Sequence, residues 1–316
     1  MMKKFAILGL FMGMATMTAA SADAASLTAI YDFTSKFDAA KTSFEGLDFT
    51  NDGTLWITSS PNGKTYLETY LLKKQLIGVN LQDTSVVNTF NYSSQGTFNP
   101  VGLASDGTNL FVANNLITTG GVYKDTAAVD GKVSYMAALS GTACKQPEGS
   151  AYLNGFIYVS CEATKNVVKI DPVKGTIVDT LNIGVNLLGL GATETSLIIG
   201  TTDYANPLNR QLLLYDIATN RVTQTINLAD LFVGAESDYA KLTGESYKTT
   251  IVDNNDVRYI PDPDGLAYRN GKIYMTFEHD LRVFEISMVA TPEPATLLLL
   301  GVGLLGLAKL KKQGKK

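Results

Sequence analysis

The sequence predicts an all-β protein built from repeated antiparallel hairpins, and three observations point to this fold class. Sustained helical periodicity is missing between the two ends of the 316-residue chain, where short β-branched and aromatic runs alternate with Asn, Asp, Gly and Ser clusters. Residues 148–162 (EGSAYLNGFIYVSCE) and 264–278 (DGLAYRNGKIYMTFE) are identical at eight of fifteen positions. Three weaker copies of the same stretch occur elsewhere in the chain.

Each copy reads as a glycine-started apolar strand, a tight polar turn such as NDG, SDG, LNG or RNG, and a second strand such as LWIT or IYVS. The copies begin at Gly46, Gly102, Gly149, Gly189 and Gly265. A second pair of strands follows the best copies, as in NVVKIDPVKGTIVDTLNI. Four antiparallel strands per unit of 40–50 residues are typical of a β-propeller blade. Because a lone unit cannot bury both of its faces, the blades must stack into a ring.

The spacing of the copies predicts five blades. The intervals are 56, 47, 40 and 76 residues, and the longest one leaves room for a sixth blade. We interpret residues 229–260 within it as an insertion with a short helix around AESDYAKL and one hairpin, TTIV-DNND-VRYI. The strand SLTAIYDF near the N-terminus is expected to pair with LRVFEIS of the last blade, which would close the ring.

The N-terminal end is predicted to be a targeting segment rather than part of the fold. Residues 1–24 have a short basic start, an apolar run from Phe5 to Met17, and small residues with cleavage options after Ala22 or Ala24. This order is typical of a secretory signal peptide. We therefore expect the propeller domain to span residues 25–290.

The C-terminal end, residues 291–316, contains Pro292, Glu293 and Pro294, then an apolar Leu/Gly run, then five lysines. This order closely resembles the PEP-CTERM sorting signal of Gram-negative bacteria that make exopolysaccharide. The apolar segment, 295–309, is about 15 residues long and marginal for a membrane span, and the lysines favour the cytoplasmic side. The resemblance implies transient insertion into the inner membrane, recognition by an exosortase, cleavage near the PEP tripeptide, and a final place at the cell surface or outside the cell. An ordinary C-terminal anchor would explain the apolar run and the lysines but not the tripeptide.

The charge of the domain argues against one class of partner. Seven of the 26 basic and two of the 30 acidic residues lie in the two ends, which leaves 19 basic and 28 acidic residues and a net charge of −9. Such a surface disfavours nucleic acid.

Carboxylates begin or close several copies of the hairpin. The acids before the repeated glycine are Glu45, Glu148 and Asp264, and the acids that close a second strand are Glu162 and Glu278. First strands line the channel of a propeller, so we expect the opening acids at one mouth of it, with Asn114 or Asn115 close by and with Glu148 beside Glu162. Oxygen ligands from separate blades suit a hard cation such as Ca²⁺. The alternative is that an acid before glycine only begins a strand beside solvent.

Two further resemblances concern chemistry. The E-G, NDG and LWI pattern resembles six-bladed lactonase-type propellers of the gluconolactonase family, which hold a divalent metal with Glu, Asn and Asp. This resemblance implies Glu45, Asn99 or Asn114, and Asp264 as metal ligands. The EG-x-A and G-x-I-Y-V-x-x-E patterns are similar to propellers described as esterase-like or phytase-like.

Catalysis would depend on few residues. His279 is the only histidine, and its place at a strand end favours a surface role over triad chemistry. The chain has no Gly-rich phosphate loop, G-x-S-x-G or HExxH. A metal on Glu45, Glu148 and Asp264 would activate water, with Glu162 or Glu278 as the base. This metal-dependent hydrolase, lactonase- or phosphoesterase-like, is the alternative function.

Cys144 and Cys161 are the only two cysteines, and the hairpin brings both to one rim. An exported protein retains disulfides, so we expect these two to be bonded. The strand tyrosines are expected in blade packing, with a few at the rim able to stack on sugars. The sequence thus predicts an exported surface or extracellular-matrix propeller that binds or scaffolds polysaccharide or protein. We favour this binding role over catalysis.

Overall fold

The computed structural model describes residues 25–38, 42–60, 74–92, 99–115, 120–125, 132–139, 143–206, 208–247, 262–277 and 280–288. These lie in one compact unit, Ala25–Met288. Its strands form five four-stranded antiparallel sheets, which are the five predicted blades of an all-β propeller. The predicted hairpin in 248–261 and both chain ends lie outside the described residues.

The strands follow one another as the repeat predicts. The first strand is β1 (Ala25–Asp32), which belongs to the last blade. Blade 1 contains β2 (Ser43–Phe49), β3 (Leu55–Ser60), β4 (Gln75–Asn80) and β5 (Ser85–Asn91). Blade 2 contains β6 (Pro100–Ser105), β7 (Leu110–Asn114), β8 (Gly121–Asp125) and β9 (Val133–Ala138). Blade 3 contains β10 (Pro147–Leu153), β11 (Phe156–Cys161), β12 (Asn166–Asp171) and β13 (Thr176–Asn182). Blade 4 contains β14 (Leu187–Ala192), β15 (Ser196–Thr201), β16 (Gln211–Asp216) and β17 (Arg221–Asn227). Blade 5 contains β18 (Pro263–Arg269), β19 (Lys272–Phe277), β20 (Arg282–Met288) and β1.

The ring closes as predicted, because β1 pairs antiparallel with β20 from Ala25–Met288 to Asp32–Arg282. The innermost strands β2, β6, β10, β14 and β18 pack side by side in that order, and β18 packs against β2. Innermost strands of non-neighbouring blades also approach one another, so the central channel is narrow. The apolar core lies between blades: one cluster joins Phe44 and Ile77 of blade 1 to Tyr274 and Val283 of blade 5.

The two ends of the channel differ in how the chain passes them. At one end, here called the turn end, tight turns join the first and second strands of each blade. Two of these are Asn-Gly turns with positive φ at both residues, +53° and +84° at Asn154–Gly155 and +53° and +79° at Asn270–Gly271. This conformation suits asparagine and glycine and matches the twist of the flanking strands. At the other end, here called the acidic mouth, the first strands begin and the second strands finish.

The repeated glycine is required by the close approach of neighbouring blades. A Cβ on Gly46, Gly102, Gly149, Gly189 or Gly265 would overlap the innermost strand of the following blade, the last of the five meeting blade 1. No side chain fits at such a position. The five glycines therefore form a closed ring of main-chain contacts, which explains why this residue survives in every copy of the hairpin.

Hydroxyl groups on the second strands connect the blades at the same level. Thr58 Oγ1 donates towards the carbonyl oxygens of Gly46 and Val101, at 3.1 and 3.2 Å. Ser160 Oγ contacts the carbonyl oxygen of Leu188 in blade 4, and Thr276 Oγ1 donates to the carbonyl oxygen of Glu45 at 2.6 Å. These buried bonds join blades 1 to 2, 3 to 4, and 5 to 1.

Two short helices follow β17, and they hold the closing strand. Helix α1 (Leu228–Phe232) begins one residue before the predicted insertion, and α2 (Asp238–Thr243) lies at the predicted AESDYAKL. Phe232 packs its ring against Phe277 and Phe284 of blade 5, with centroids 5.3 and 5.2 Å apart. Asp238 accepts a hydrogen bond from the main-chain N–H of Leu27 in β1 at 3.1 Å. The insertion therefore stabilises ring closure.

Candidate functional site

The five innermost strands share an irregularity at the acidic mouth. Each has a shift of pairing register around the residue that precedes the repeated glycine. In ring order these residues are Glu45, Val101, Glu148, Leu188 and Asp264. Such bulges re-aim a side chain. The structure thus places all three predicted acids on one level, but Val101 and Leu188 separate Glu148 from the other two.

Glu148 and Glu162 do not form the side-by-side pair expected from the sequence. Because β10 and β11 extend beyond the bulge, Pro147 pairs with Cys161, and the N–H of Glu162 donates to Gln146 O at 2.9 Å. Glu148 accepts a hydrogen bond from Asn115 Nδ2 of blade 2 at 2.8 Å. The two glutamates therefore face different blades.

Glu162 turns towards blade 4. Its carboxylate accepts a hydrogen bond from the hydroxyl of Tyr204. Burial, this hydrogen bond and the charges of Glu162, Asp262 and Glu148 raise the pKa of Tyr204 well above its ordinary value. Tyr204 thus contacts Glu162 and is also influenced by the negative charges of Asp262 and Glu148.

Asp262 links blade 4 to the start of blade 5. It accepts from Thr202 Oγ1 at 2.7 Å and forms an ion pair with the buried Arg210 at 2.9 Å. The contacts of Glu148, Glu162 and Asp262 therefore join neighbouring blades through polar bonds at the acidic mouth.

The remaining predicted metal ligands are engaged or buried. Asn114 is fully buried and accepts from the main-chain N–H of Asn99 at 2.6 Å. Glu45 is 9% exposed. Among the described residues, no three His, Cys, Asp or Glu side chains are grouped so that they could hold a metal. Glu278 and His279 lie outside those residues, and the Ca²⁺ site and the base remain predictions.

The disulfide between Cys144 and Cys161 is present, with 5.2 Å between the two Cα atoms. It joins the loop before β10 to the end of β11, directly beside Glu162. The disulfide therefore restrains the main chain next to Glu162, which contacts Tyr204.

A cleft of about 500 Å³ lies between blade 1 and blade 5 at the turn end, and we call it the blade 1–blade 5 cleft. Its lining residues are Tyr31, Phe49, Asp52, Gly53, Thr54, Asn80, Leu81, Gln82, Val87, Arg269, Asn270 and Tyr274. The lining combines aromatic rings with amide side chains, one acid and one guanidinium.

The aromatic residues of the cleft hold one another in place. The rings of Phe49 and Tyr274 meet edge to face with centroids 4.9 Å apart, and Tyr31 lies 6.5 Å from Tyr274. The guanidinium of Arg269 lies over the Phe49 ring at 5.1 Å and donates to Thr50 O at 3.2 Å. These contacts give the cleft a preformed wall.

Behind the cleft, Glu285 ties the two tyrosines to the closing strand. It accepts from Tyr31 Oη at 2.8 Å, Thr28 Oγ1 at 2.7 Å and Lys272 Nζ at 2.6 Å, and it also bonds Tyr274. Burial acts to raise the pKa of Glu285, but these hydrogen bonds outweigh it and leave the pKa below its ordinary value. Burial and the neighbouring Glu285 raise the pKa of Tyr274 to about 12. Both tyrosines are therefore neutral donors at neutral pH.

Residues 290–312 match the PEP-CTERM protein-sorting motif. The chain therefore carries a sorting motif that indicates export. The motif includes the predicted Pro292, Glu293 and Pro294. It implies processing by an exosortase and indicates sorting to the surface or exterior of a Gram-negative cell. No helix in the described part of the chain is long and apolar enough to cross a membrane; the predicted segment 295–309 lies outside that part.

One solved structure resembles this propeller in fold, and two others align with it less well. Glutaminyl cyclase of Myxococcus xanthus is 17% identical, with 84% of this chain and 97% of that chain covered and a TM-score of 0.56. A protein of unknown function from Bacteroides caccae is 16% identical over 60% of this chain and 68% of that chain, with a TM-score of 0.44. Hydrazine synthase of Kuenenia stuttgartiensis is 15% identical over 76% and 74%, with a TM-score of 0.45. No curated protein sequence matches this chain. The likeness to glutaminyl cyclase is one of fold alone.

The blade 1–blade 5 cleft was not predicted from the sequence. Tyr274 was expected in blade packing and does pack there, but it also lines the cleft. Phe49 and Arg269 gave no signal because they lie 220 positions apart in the chain and meet only when the ring closes. The turn sequence NDG at 51–53 was the one available sign, since it places Asp52 and Gly53 at the turn end.

Proposed function

We propose that this exported propeller is a binding module of the cell surface or extracellular matrix, and that it holds its ligand in the blade 1–blade 5 cleft. The observation that carries the proposal is the cleft itself. Its volume of about 500 Å³ lies within the roughly 300–1,000 Å³ of small-ligand sites, which combine apolar walls with a few placed polar groups. The wall residues stand on or beside paired strands, so the shape is fixed before a ligand arrives.

The acidic mouth gives weaker support for binding. Glu148, Glu162 and Asp262 each accept a hydrogen bond or ion pair from a neighbouring blade. These carboxylates serve the contacts between blades, and a ligand would have to replace those bonds. A ligand in the blade 1–blade 5 cleft could bind the exposed side chains of Gln82 and Asn270 without replacing bonds between blades.

Substitutions at equivalent places in two blades test the proposal. Val87 and Val178 are the third residues of the outer strands β5 and β13, and both are exposed, but only Val87 lines the cleft. The exported protein and its Val87→Trp and Val178→Trp variants are applied to arrays of glycans and of peptides. We expect binding that is lost in Val87→Trp and kept in Val178→Trp. Equal binding by all three proteins, or binding to neither array, would overturn the proposal.

A further inference from the structure

The two charged side chains of the cleft, Asp52 and Arg269, form contacts within the protein. Asp52 accepts hydrogen bonds from Thr50 Oγ1 at 2.7 Å, from the N–H of Thr54 at 3.0 Å and from Thr54 Oγ1 at 3.2 Å. The Thr50 bond is the largest of several that lower the pKa of Asp52, so this carboxylate stays ionised. Arg269 is held by Thr50 O and by the Phe49 ring. One positive and one negative charge thus balance, and neither selects a charged ligand.

The amide side chains of the cleft, unlike its charged groups, still have hydrogen-bonding groups available for a ligand. Gln82 and Asn270 are exposed, and no hydrogen bond of their side chains occurs within the described part of the chain. Asn80 accepts from the N–H of Gln82 at 2.9 Å through its oxygen, which leaves its amide nitrogen as a donor. Each amide offers both a donor and an acceptor. Paired hydroxyl groups, which also donate and accept, are the natural complement of such a lining.

The aromatic wall supplies the second half of the recognition. The C–H face of a pyranose ring is apolar and packs on an aromatic ring, while its hydroxyls point outward. Tyr31 and Phe49 are partly exposed, and Tyr31 and Tyr274 are held by their bonds to Glu285. A rigid wall of this kind binds without a large loss of side-chain entropy.

We infer, resting on the proposed binding function, that the ligand of the blade 1–blade 5 cleft is a neutral oligosaccharide of about two or three pyranose units, a length that fits a small-ligand site. The amides of Asn80, Gln82 and Asn270 contact its hydroxyls, and the aromatic wall contacts a sugar face. A ligand of net charge is disfavoured because the one acid and the one guanidinium of the cleft balance each other.

Titration calorimetry of the exported protein tests this inference. The probes are the neutral trisaccharides cellotriose, maltotriose and N-acetylchitotriose, the anionic trigalacturonate, the cationic chitosan trimer, and tripeptides. Gln82→Ala removes one free amide of the cleft, and Gln224→Ala removes an amide from the outer strand of blade 4 as the matched control. Thermal unfolding of each variant confirms that it is folded.

We expect at least one neutral trisaccharide to bind, about fivefold to tenfold more weakly to Gln82→Ala, as for the loss of one hydrogen bond. Gln224→Ala should bind as the parent does, and Val87→Trp should not bind. Binding of a charged saccharide or a peptide that depends on Gln82 and Val87, without binding of neutral sugars, would overturn the inference and leave the proposed function standing. Failure of every probe to bind in a cleft-dependent way would overturn both.

Discussion

Gly265 of blade 5 lies against the main-chain oxygen of Glu45 in blade 1, at the joint where the ring of blades closes. A Cβ at this position would overlap both that oxygen and Thr276 Oγ1. Since the obstacle includes backbone, it cannot move aside as a flexible side chain would.

We therefore expect Gly265→Ala to lower the free energy of unfolding by about 3 kcal/mol or more, at the upper end of overpacking effects. Gly234→Ala is the matched control, because Gly234 has φ of +93° but nothing within 4 Å of its added Cβ. That change should cost only about 1–2 kcal/mol through backbone strain. Urea unfolding measures both, and equal losses would show that neighbouring blades do not require glycine here.

The network around Glu285 predicts sensitivity to acid. Its pKa is lowered in the folded state from an ordinary value of 4.5. The stability that it contributes is therefore complete above that value and is lost as pH falls below it. We expect Glu285→Gln to lower the free energy of unfolding by about 1–3 kcal/mol at pH 7, since the donors around this buried carboxylate lose a charged acceptor.

Urea unfolding at pH 7 and near pH 3 measures this effect. The difference between parent and Glu285→Gln should shrink at the lower pH, because the parent carboxylate is then being protonated. Glu194→Gln, at an exposed turn position, should change stability little at either pH. A difference of the same size at both pH values would mean that the charge of Glu285 is not what stabilises ring closure.

The Cys144–Cys161 disulfide closes a short loop, with a sequence separation of 17 residues. On the chain-entropy model such a cross-link stabilises the fold by about 3 kcal/mol. Replacing both cysteines by alanine should lower the free energy of unfolding by about this amount, and adding a reductant to the parent should lower it similarly. Reductant should have no effect on the double variant. A parent that unfolds at the same urea concentration with and without reductant contradicts the prediction.

Glu148→Gln separates a binding role from catalysis at the acidic mouth. Glutamine keeps an oxygen that can accept from Asn115, so we expect a change in stability below about 1 kcal/mol and unchanged binding in the cleft. The measurement combines urea unfolding with assays of lactone and phosphate-ester hydrolysis, with and without Ca²⁺. Turnover by the parent that disappears in Glu148→Gln would support the hydrolase alternative instead.

The fold could be predicted from the sequence because each blade repeats the same local pattern of strand, turn and strand. The Asn-Gly turns at Asn154 and Asn270 and the glycine within each first strand can be recognised without long-range information. The sequence does not show why glycine is required, because the atoms that exclude a side chain belong to the neighbouring blade. The hydroxyls of Thr58, Ser160 and Thr276, which join blades at the same level, gave a weak signal, since Ala113 and Gly200 occupy that place in blades 2 and 4.

The site was harder to predict for two physical reasons. A one-residue irregularity in β10 changes which side chain faces which strand, and this separated Glu148 from Glu162. The cleft depends on the packing of blade 1 against blade 5, which no local pattern encodes. Tyr31 and Asn80 illustrate this, since they lie on different blades and become neighbours only in the closed ring.

The pairing of Ala25 with Met288 determines how the β1–β20 pair, which closes the ring, responds to a pulling force. Both residues lie at the turn end, on adjacent antiparallel strands. A force that pulls the two ends apart therefore loads the hydrogen bonds between β1 and β20 one pair at a time, from Ala25–Met288 towards Asp32–Arg282, as a zipper opens. A force at one end alone is not divided across the Ala25–Met288 pair and does not open the strands in this way.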